Sequence, residues 1–182
     1  MVEKKGNRFR ISRMSRRLRI VFKGLVYFLP VVPVLYWLLY NSLPAVMQEG
    51  AFGVGAPLFL EVNSRVFGFA AGLPALVVSI IALNSLSALF SLYERGMYFM
   101  AENVKRFRFL GELAMWSILA DIFNKTVLIV AQTINNPPGE RVLSIGFTSD
   151  HVKLLLVAGI VMIIGMVMDE GRKINDENEL TV

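Results

Sequence analysis

Residues 116–131 read WSILADIFNKTVLIVA, an apolar run typical of a membrane-spanning helix that nevertheless contains an aspartate, an asparagine and a lysine. A charged side chain at the centre of a bilayer costs about 3 kcal/mol on insertion scales. The run therefore predicts a span whose charges have either a partner or a function. The composition agrees with a membrane setting, because 55% of the 182 residues are hydrophobic, more than an ordinary soluble domain contains.

Four apolar runs are long enough to cross the hydrocarbon core, which takes about 20 residues. They cover residues 24–43, 66–93, 110–134 and 152–168. We therefore expect an all-α membrane protein with four transmembrane helices over residues 24–168, preceded by a basic arm (residues 1–23) and followed by an acidic tail (residues 169–182). Pro74 is expected to disturb the second helix, because proline removes a hydrogen-bond donor.

The lysines and arginines outside the spans are distributed unevenly. Fifteen lie on the side of the two termini and three on the opposite side. Because cytoplasmic segments carry the excess, both termini are expected in the cytoplasm. A cleaved signal peptide is the competing interpretation of the first run, although that run is longer and more aromatic than an ordinary signal core.

The two connections on the opposite side contain strand-like runs, APLFLEV at residues 56–62 and RVLSIGF at residues 141–147. Runs of this kind, bounded by glycine, proline and asparagine, are typical of short strands. They could pair into a small extracytoplasmic β-hairpin or cap. The alternative is that both are irregular loops on the membrane surface.

The charged residues of the third span form the first candidate site. Asp121 and Lys125 are four residues apart, in the favourable order for an ion pair on one helix face. Counting from the expected inner ends of the spans places Asn84 of the second span at a similar depth, so we expect Asp121, Asn124 and Lys125 to face Asn84 inside the bundle. The structural hypothesis is a polar clamp between helices, and the functional hypothesis is a site that responds to protons or a ligand.

The connection between the second and third spans forms the second candidate site. Gly96 is placed to end the second span, and the apolar residues that follow favour the membrane interface. This elbow is expected either to anchor the protein in the headgroups or to dock a cytoplasmic partner. Its candidate interface residues are Gly96, Met97, Tyr98, Phe99, Asn103, Lys105, Arg106 and Arg108.

The basic arm and the acidic tail lie on the same side as the elbow. The arm interleaves cations with apolar residues, a pattern typical of an interfacial helix attracted to anionic headgroups. Binding of nucleic acid is the alternative, but no recognisable nucleic-acid fold accompanies the arm, so direct contact with nucleic acid is not expected. The tail carries a net charge of −3, which predicts either pairing with the arm and elbow or a solvated helical extension.

Two segments resemble a known family. LFSLYERGMYFMAENVKRFRFLGE (residues 89–112) and DEGRKINDENELTV (residues 169–182) are similar to the two signatures of the bacterial membrane family catalogued as domain of unknown function 2975. The family's usual phenylalanine-threonine before the basic helix is replaced by Phe99 and Met100. The resemblance implies a small four-span protein of the bacterial inner membrane without assigned enzymatic activity, often encoded beside a small helix-turn-helix regulator.

The remaining chemistry is sparse. The chain has no cysteine and one histidine, which excludes disulfides, thiolate sites and histidine-based metal clusters, and it lacks phosphate-loop and nucleophile-elbow motifs. No catalytic residue, metal or cofactor is therefore assigned. His151 follows Ser149 and Asp150 at the start of the fourth span, where a helix cap is expected and an external pH sensor is the alternative.

These observations favour a non-enzymatic protein that works as an interaction partner or modulator in a regulatory system. The expected partners are anionic lipid, a cytoplasmic helix-turn-helix regulator, another membrane protein or a second copy of the chain. The alternative is a small transporter or channel subunit that uses Asp121 and Lys125 as an intramembrane polar site.

Overall fold

The protein is built from helices. A computed structural model describes residues 2–52, 57, 59–133 and 137–180, with the backbone alone described at residues 2–8, 50–52, 175 and 178–180. Six α-helices follow one another along the chain: α1 (Val2–Phe28), α2 (Val31–Leu39), α3 (Ala45–Phe52), α4 (Val62–Glu94), α5 (Ala101–Thr133) and α6 (Ser149–Leu180). Four stretches are long and apolar enough to cross a membrane, as predicted: Phe9–Ser42, Val62–Glu94, Ala101–Thr133 and Ser149–Ile174.

The first of these stretches is broken in its middle. α1 ends at Phe28, α2 begins at Val31, and a 3-10 turn over Tyr40–Ser42 closes the stretch. Pro30 precedes α2 and Pro33 lies in its first turn, where a missing amide donor costs no intrahelical hydrogen bond. By contrast, α4 continues through Pro74.

The long helices pack in an open arc. α1 packs on α4, α4 on α5 and α5 on α6, while α2 also packs on α4. In the part of the chain described, α1 and α6 form no comparable interface with each other. Successive long helices run antiparallel, so the basic end of α1, the α4–α5 elbow and the acidic end of α6 share one end of the arc. We call this end the terminal face and the opposite end the loop face.

An aromatic core joins α2, α4 and α5 near the loop face. Trp37, Tyr40 and Leu128 are buried together, with the rings of Trp37 and Tyr40 stacked at 5.7 Å between centroids. The Trp37 ring lies directly on Gly68 of α4, and a Cβ atom at that position would overlap it. A glycine at this contact therefore lets α2 approach α4 closely.

The expectation of a β-hairpin or cap is not supported, because none of the described residues forms a strand. The backbone of each strand-like run instead forms hydrogen bonds with a side chain from a helix or a turn. Thr133 Oγ1 lies 3.1 Å from both the nitrogen and the oxygen of Val142, and the Asn41 amide bonds the nitrogen and oxygen of Leu60 at 2.9 and 3.0 Å. Residues 56 and 58 of the first run lie outside the described residues.

Candidate functional site

A polar cluster of Asp121, Lys125 and His151 links α5 to α6. Lys125 Nζ lies 2.8 Å from Asp121 Oδ2, which is the ion pair predicted from their spacing. His151 Nε2 lies 2.8 Å from the same oxygen. The histidine side chain is buried, whereas those of Asp121 and Lys125 are each 37% exposed. One carboxylate oxygen thus ties the first turn of α6 to the middle of α5.

The hydrogen bonds of His151 specify its tautomer. The backbone N–H of Thr148 donates to His151 Nδ1 at 3.1 Å, so Nδ1 acts as an acceptor and carries no proton. Nε2 must then carry the proton and donate a hydrogen bond to Asp121 Oδ2, as in a neutral imidazole. His151 therefore caps the entry to α6, in addition to bonding α5. The link to Asp121 spans thirty residues of sequence and was not predicted.

The ends of α5 and α6 locate this cluster along the bundle. His151 is the third residue of α6, and the nearby ion pair of Asp150 and Lys153 is largely exposed. The cluster therefore lies at the loop-face end of α6. α5 begins at Ala101, nine residues before the predicted start of the third span at residue 110, so Asp121 lies twenty residues, or about 30 Å, along α5.

Asn84 does not join the cluster. Asn124 Oδ1 lies 4.0 Å from the position of a Cβ atom built on Gly72, which fixes how α4 and α5 align. Asn84 is twelve residues farther along α4, or about 18 Å, and its side chain is exposed. The structure thus brings Asp121 and Lys125 to His151 and places Asn124 near Gly72. Asn84 lies on the exposed surface of α4, away from this cluster.

Asn124 borders a cavity between α2, α4 and α5. The cavity has a volume of about 410 Å³ and is mostly apolar. Asn124 Oδ1 is buried there without a hydrogen-bond partner among the described residues. Ser79, also at the wall, donates its hydroxyl to the carbonyl of Ala75 at 2.8 Å. The cavity therefore offers one free acceptor to a small donor such as water.

The elbow begins with a helix-ending motif. Gly96 has φ of 79°, a conformation that glycine adopts without strain. Its N–H donates to the carbonyl of Tyr93 at 3.1 Å, and the N–H of Met97 donates to that of Leu92 at 3.0 Å. This pair of hydrogen bonds is a Schellman motif, which satisfies the last carbonyls of a helix. Gly96 thus follows the end of α4, as predicted.

Asn103 fixes the rest of the elbow. Its side chain is fully buried, and its Nδ2 donates to the carbonyls of Met97 and Tyr98, each at 2.7 Å. Phe99 and Met100, between these anchors, remain 55% and 48% exposed. The first turn of α5 therefore holds an apolar turn in one position with two of its side chains presented outward.

The cations of the elbow differ in their surroundings. Lys105 and Arg108 are exposed. Arg106 pairs with Glu102 one turn earlier at 2.6 Å. Phe99 also reaches α6, since its ring lies 3.5 Å from the position of a Cβ atom built on Gly171. The predicted interface residues thus share the terminal face, and the contact with α6 adds a neighbour that was not predicted.

The family can be stated from a comparison with family models. The model described as "Protein of unknown function (DUF2975)" matches residues 18–182, which include both signature segments, the elbow, most of the first apolar stretch and all of the other three. The chain belongs to this family. No curated protein and no solved structure matches it. Membership in DUF2975 confirms the resemblance found in the sequence, and it assigns no activity, ligand or partner.

The arm of this DUF2975 protein is helical and continuous with its first span. Arg19 pairs with Glu94 at the end of α4, with Nε and Oε2 3.2 Å apart, and Ser12 donates its hydroxyl to the Glu94 carbonyl at 2.8 Å. The Arg13 guanidinium lies 4.7 Å from the centre of the Phe9 ring. The side chains of residues 1–8 lie outside the described part.

The tail is helical as far as Leu180 and forms the last turns of α6. Arg172 pairs with Asp169 and Asp176 at 3.2 and 2.8 Å, and Lys173 pairs with Glu170 at 3.3 Å. These ion pairs are local to α6. The side chains of residues 1–8, 175 and 178–182 lie outside the described residues. Pairing of the tail with the arm and elbow therefore stays a prediction.

Proposed function

We propose that this DUF2975 protein is a non-enzymatic interaction partner or modulator in a regulatory system of the bacterial inner membrane. The observation that carries the proposal is the fixed elbow, in which Asn103 holds the turn while Phe99 and Met100 stay exposed. Aromatic and methionine side chains make adaptable apolar contacts. A turn already held in one conformation loses less entropy when a partner binds.

The charges around the elbow support a cytoplasmic setting for the terminal face. Fifteen cations lie on the side of the termini against three on the other, the distribution that favours a cytoplasmic location. Anionic headgroups would hold the exposed cations of α1. The partner that we propose for the elbow is a cytoplasmic helix-turn-helix regulator or another membrane protein.

The polar cluster has a structural role in this proposal. The Asp121 carboxylate is balanced by Lys125 and also accepts a hydrogen bond from His151. Such a group fixes α6 against α5 and leaves no uncompensated charge to attract an ion. A stable α5–α6 pair keeps the tail of α6 beside Phe99.

Affinity purification from crosslinked native membranes tests the proposal. A double variant, Phe99→Ala with Met100→Ala, removes the exposed side chains of the elbow. Its matched control is Phe59→Ala with Met47→Ala on the loop face, where the two side chains are 73% and 57% exposed. We expect a protein that co-purifies with the wild type and the control but is lost with the elbow variant. Recovery of the same protein with all three would contradict the proposal.

A small transporter or channel subunit is the second candidate function. It is favoured by the cavity of about 410 Å³ and the unpaired Asn124 Oδ1 at its wall. This function predicts pH- or solute-dependent flux in proteoliposomes that is lost with both Asp121→Asn and Asn124→Leu. Absence of flux in wild-type proteoliposomes that retain the folded protein would count against it.

A further inference from the structure

One side of α4 is a regular exposed stripe with an amide in it. The stripe advances alternately by four and three residues, the spacing of a helix–helix seam. Its members are all exposed, namely Ala70, Pro74, Val77, Ile81 and Asn84. Asn84 makes no hydrogen bond within the described part of the chain. It lies ten residues before the end of α4 at Glu94, or about 15 Å along the helix.

The neighbouring helix α5 has a matching exposed stripe with a carboxylate in it. Its members are Phe109, Glu112, Trp116, Leu119 and Phe123. No ion pair or hydrogen bond of Glu112 is present among the described residues. Arg108, one turn earlier on α5, is exposed and does not pair with it. Wheel positions place both stripes on the side of the α4–α5 pair that faces away from α1 and α6.

The alignment of α4 and α5 places Asn84 and Glu112 at the same height along the bundle axis. Gly72 lies opposite Asn124, and the helices run antiparallel. Twelve residues from this contact toward the terminal face, α4 reaches Asn84 and α5 reaches Glu112. An amide and a carboxylate thus lie at the same height on an apolar surface, and neither has a partner among the described residues, although an unsatisfied polar group is costly on such a surface.

We infer that this surface binds a second copy of the chain through a two-fold axis parallel to the membrane normal. With this axis in front of the exposed face of the α4–α5 pair, α4 lies opposite the partner's α5. The rotation keeps every residue at the same height along the membrane normal. Asn84 Nδ2 then donates to the carboxylate of the partner's Glu112, and the symmetric contact forms at the same time. A closed two-fold interface uses the same patch on both copies, and amide–carboxylate hydrogen bonds stabilise contacts between membrane helices.

Cysteine crosslinking in native membranes tests this interface. The chain has no cysteine of its own, so each introduced thiol reports on one position. Val77 and Leu119 lie seven residues from Asn84 and Glu112 and therefore share a level. Two differently tagged copies, one with Val77→Cys and the other with Leu119→Cys, are co-expressed and oxidised. The control pair combines Val77→Cys with Ile163→Cys, because Ile163 is 60% exposed on α6.

We expect a covalent heterodimer from the first pair and only background from the control pair. Asn84→Leu in both copies is expected to lower the yield about tenfold, because two symmetric hydrogen bonds are lost at once. Glu112→Gln keeps an acceptor and should retain the dimer. A yield no greater than that of the control pair would overturn the inference. So would a yield unchanged by both Asn84→Leu and Glu112→Leu, which would mean that these groups face lipid headgroups only.

Discussion

Substitutions in the polar cluster test whether its charges are compensated within the protein. The variants are Asp121→Leu, which removes the carboxylate alone, and the double variant Asp121→Leu with Lys125→Leu, which removes both charges. The single variant leaves the Lys125 ammonium without its counter-charge. Both variants leave His151 Nε2–H without its acceptor, since that hydrogen bond ends on Asp121 Oδ2.

The expected magnitudes follow from the burial of the three side chains. An unpaired donor on the buried His151 costs about 1–2 kcal/mol. Removing one member of a fully buried ion pair, so that the other charge is unpaired, costs about 3–5 kcal/mol. Because Lys125 is 37% exposed, solvent screening reduces the cost of its unpaired charge to about 1–2 kcal/mol. We therefore expect a free energy of unfolding lowered by about 2–4 kcal/mol in the single variant and by about 1–2 kcal/mol in the double variant.

Thermal unfolding of the detergent-solubilised protein, followed by size-exclusion chromatography after heating, measures this difference. For a protein of this size, the expected reductions in Tm are roughly 4–16 °C for the single variant and roughly 2–8 °C for the double variant. Lys153→Leu, which removes half of an exposed ion pair, serves as the control and should leave Tm unchanged. A double variant less stable than the single variant would refute the reasoning.

Three further substitutions test the contacts that shape the molecule. Gly68→Ala should lower the free energy of unfolding by about 1–3 kcal/mol through overpacking against Trp37, measured as a lower Tm, and an unchanged Tm would count against a tight α2–α4 contact. Asn103→Leu removes two hydrogen bonds and should speed amide exchange at residues 97–100 by about thirtyfold, since each hydrogen bond is worth about 1 kcal/mol; unchanged exchange would mean that the elbow is held by other contacts. Thr133→Val releases Val142 and should accelerate proteolysis of residues 137–148, and equal cleavage rates in the variant and wild type would argue against this anchor.

The spans and the Asp121–Lys125 ion pair could be predicted because each depends on local sequence. An apolar run of about 20 residues has few alternatives to a membrane helix, and the Asp121–Lys125 pair follows from helix periodicity. The start of α5 was harder, because residues 101–109 are rich in cations and resemble a loop. Their helical conformation depends partly on Asn103 bonding back to the elbow, a contact that composition does not reveal.

The errors have a common physical cause. The strand-like runs were expected to pair with each other or to form irregular loops, and Thr133 and Asn41 bond the backbone of Val142 and Leu60 in place of a partner strand. The position of Asn84 was inferred from an incorrect end of α5, which placed it beside Asp121. His151 is thirty residues from Asp121, and sequence spacing says nothing about such a contact. Tertiary contacts decided each of these points: hydrogen bonds for the strand-like runs and His151, and the packing of α4 on α5 for Asn84.

Site-specific photo-crosslinking in living cells tests most directly whether the elbow docks a partner. A photoreactive amino acid replaces Phe99 on the terminal face or, as the control, Phe59 on the loop face, which is more exposed. The account predicts a discrete adduct with another protein at position 99 that is absent at position 59, with its identity given by mass spectrometry. Adducts with lipid alone at position 99, or the same protein adduct at both positions, would contradict it.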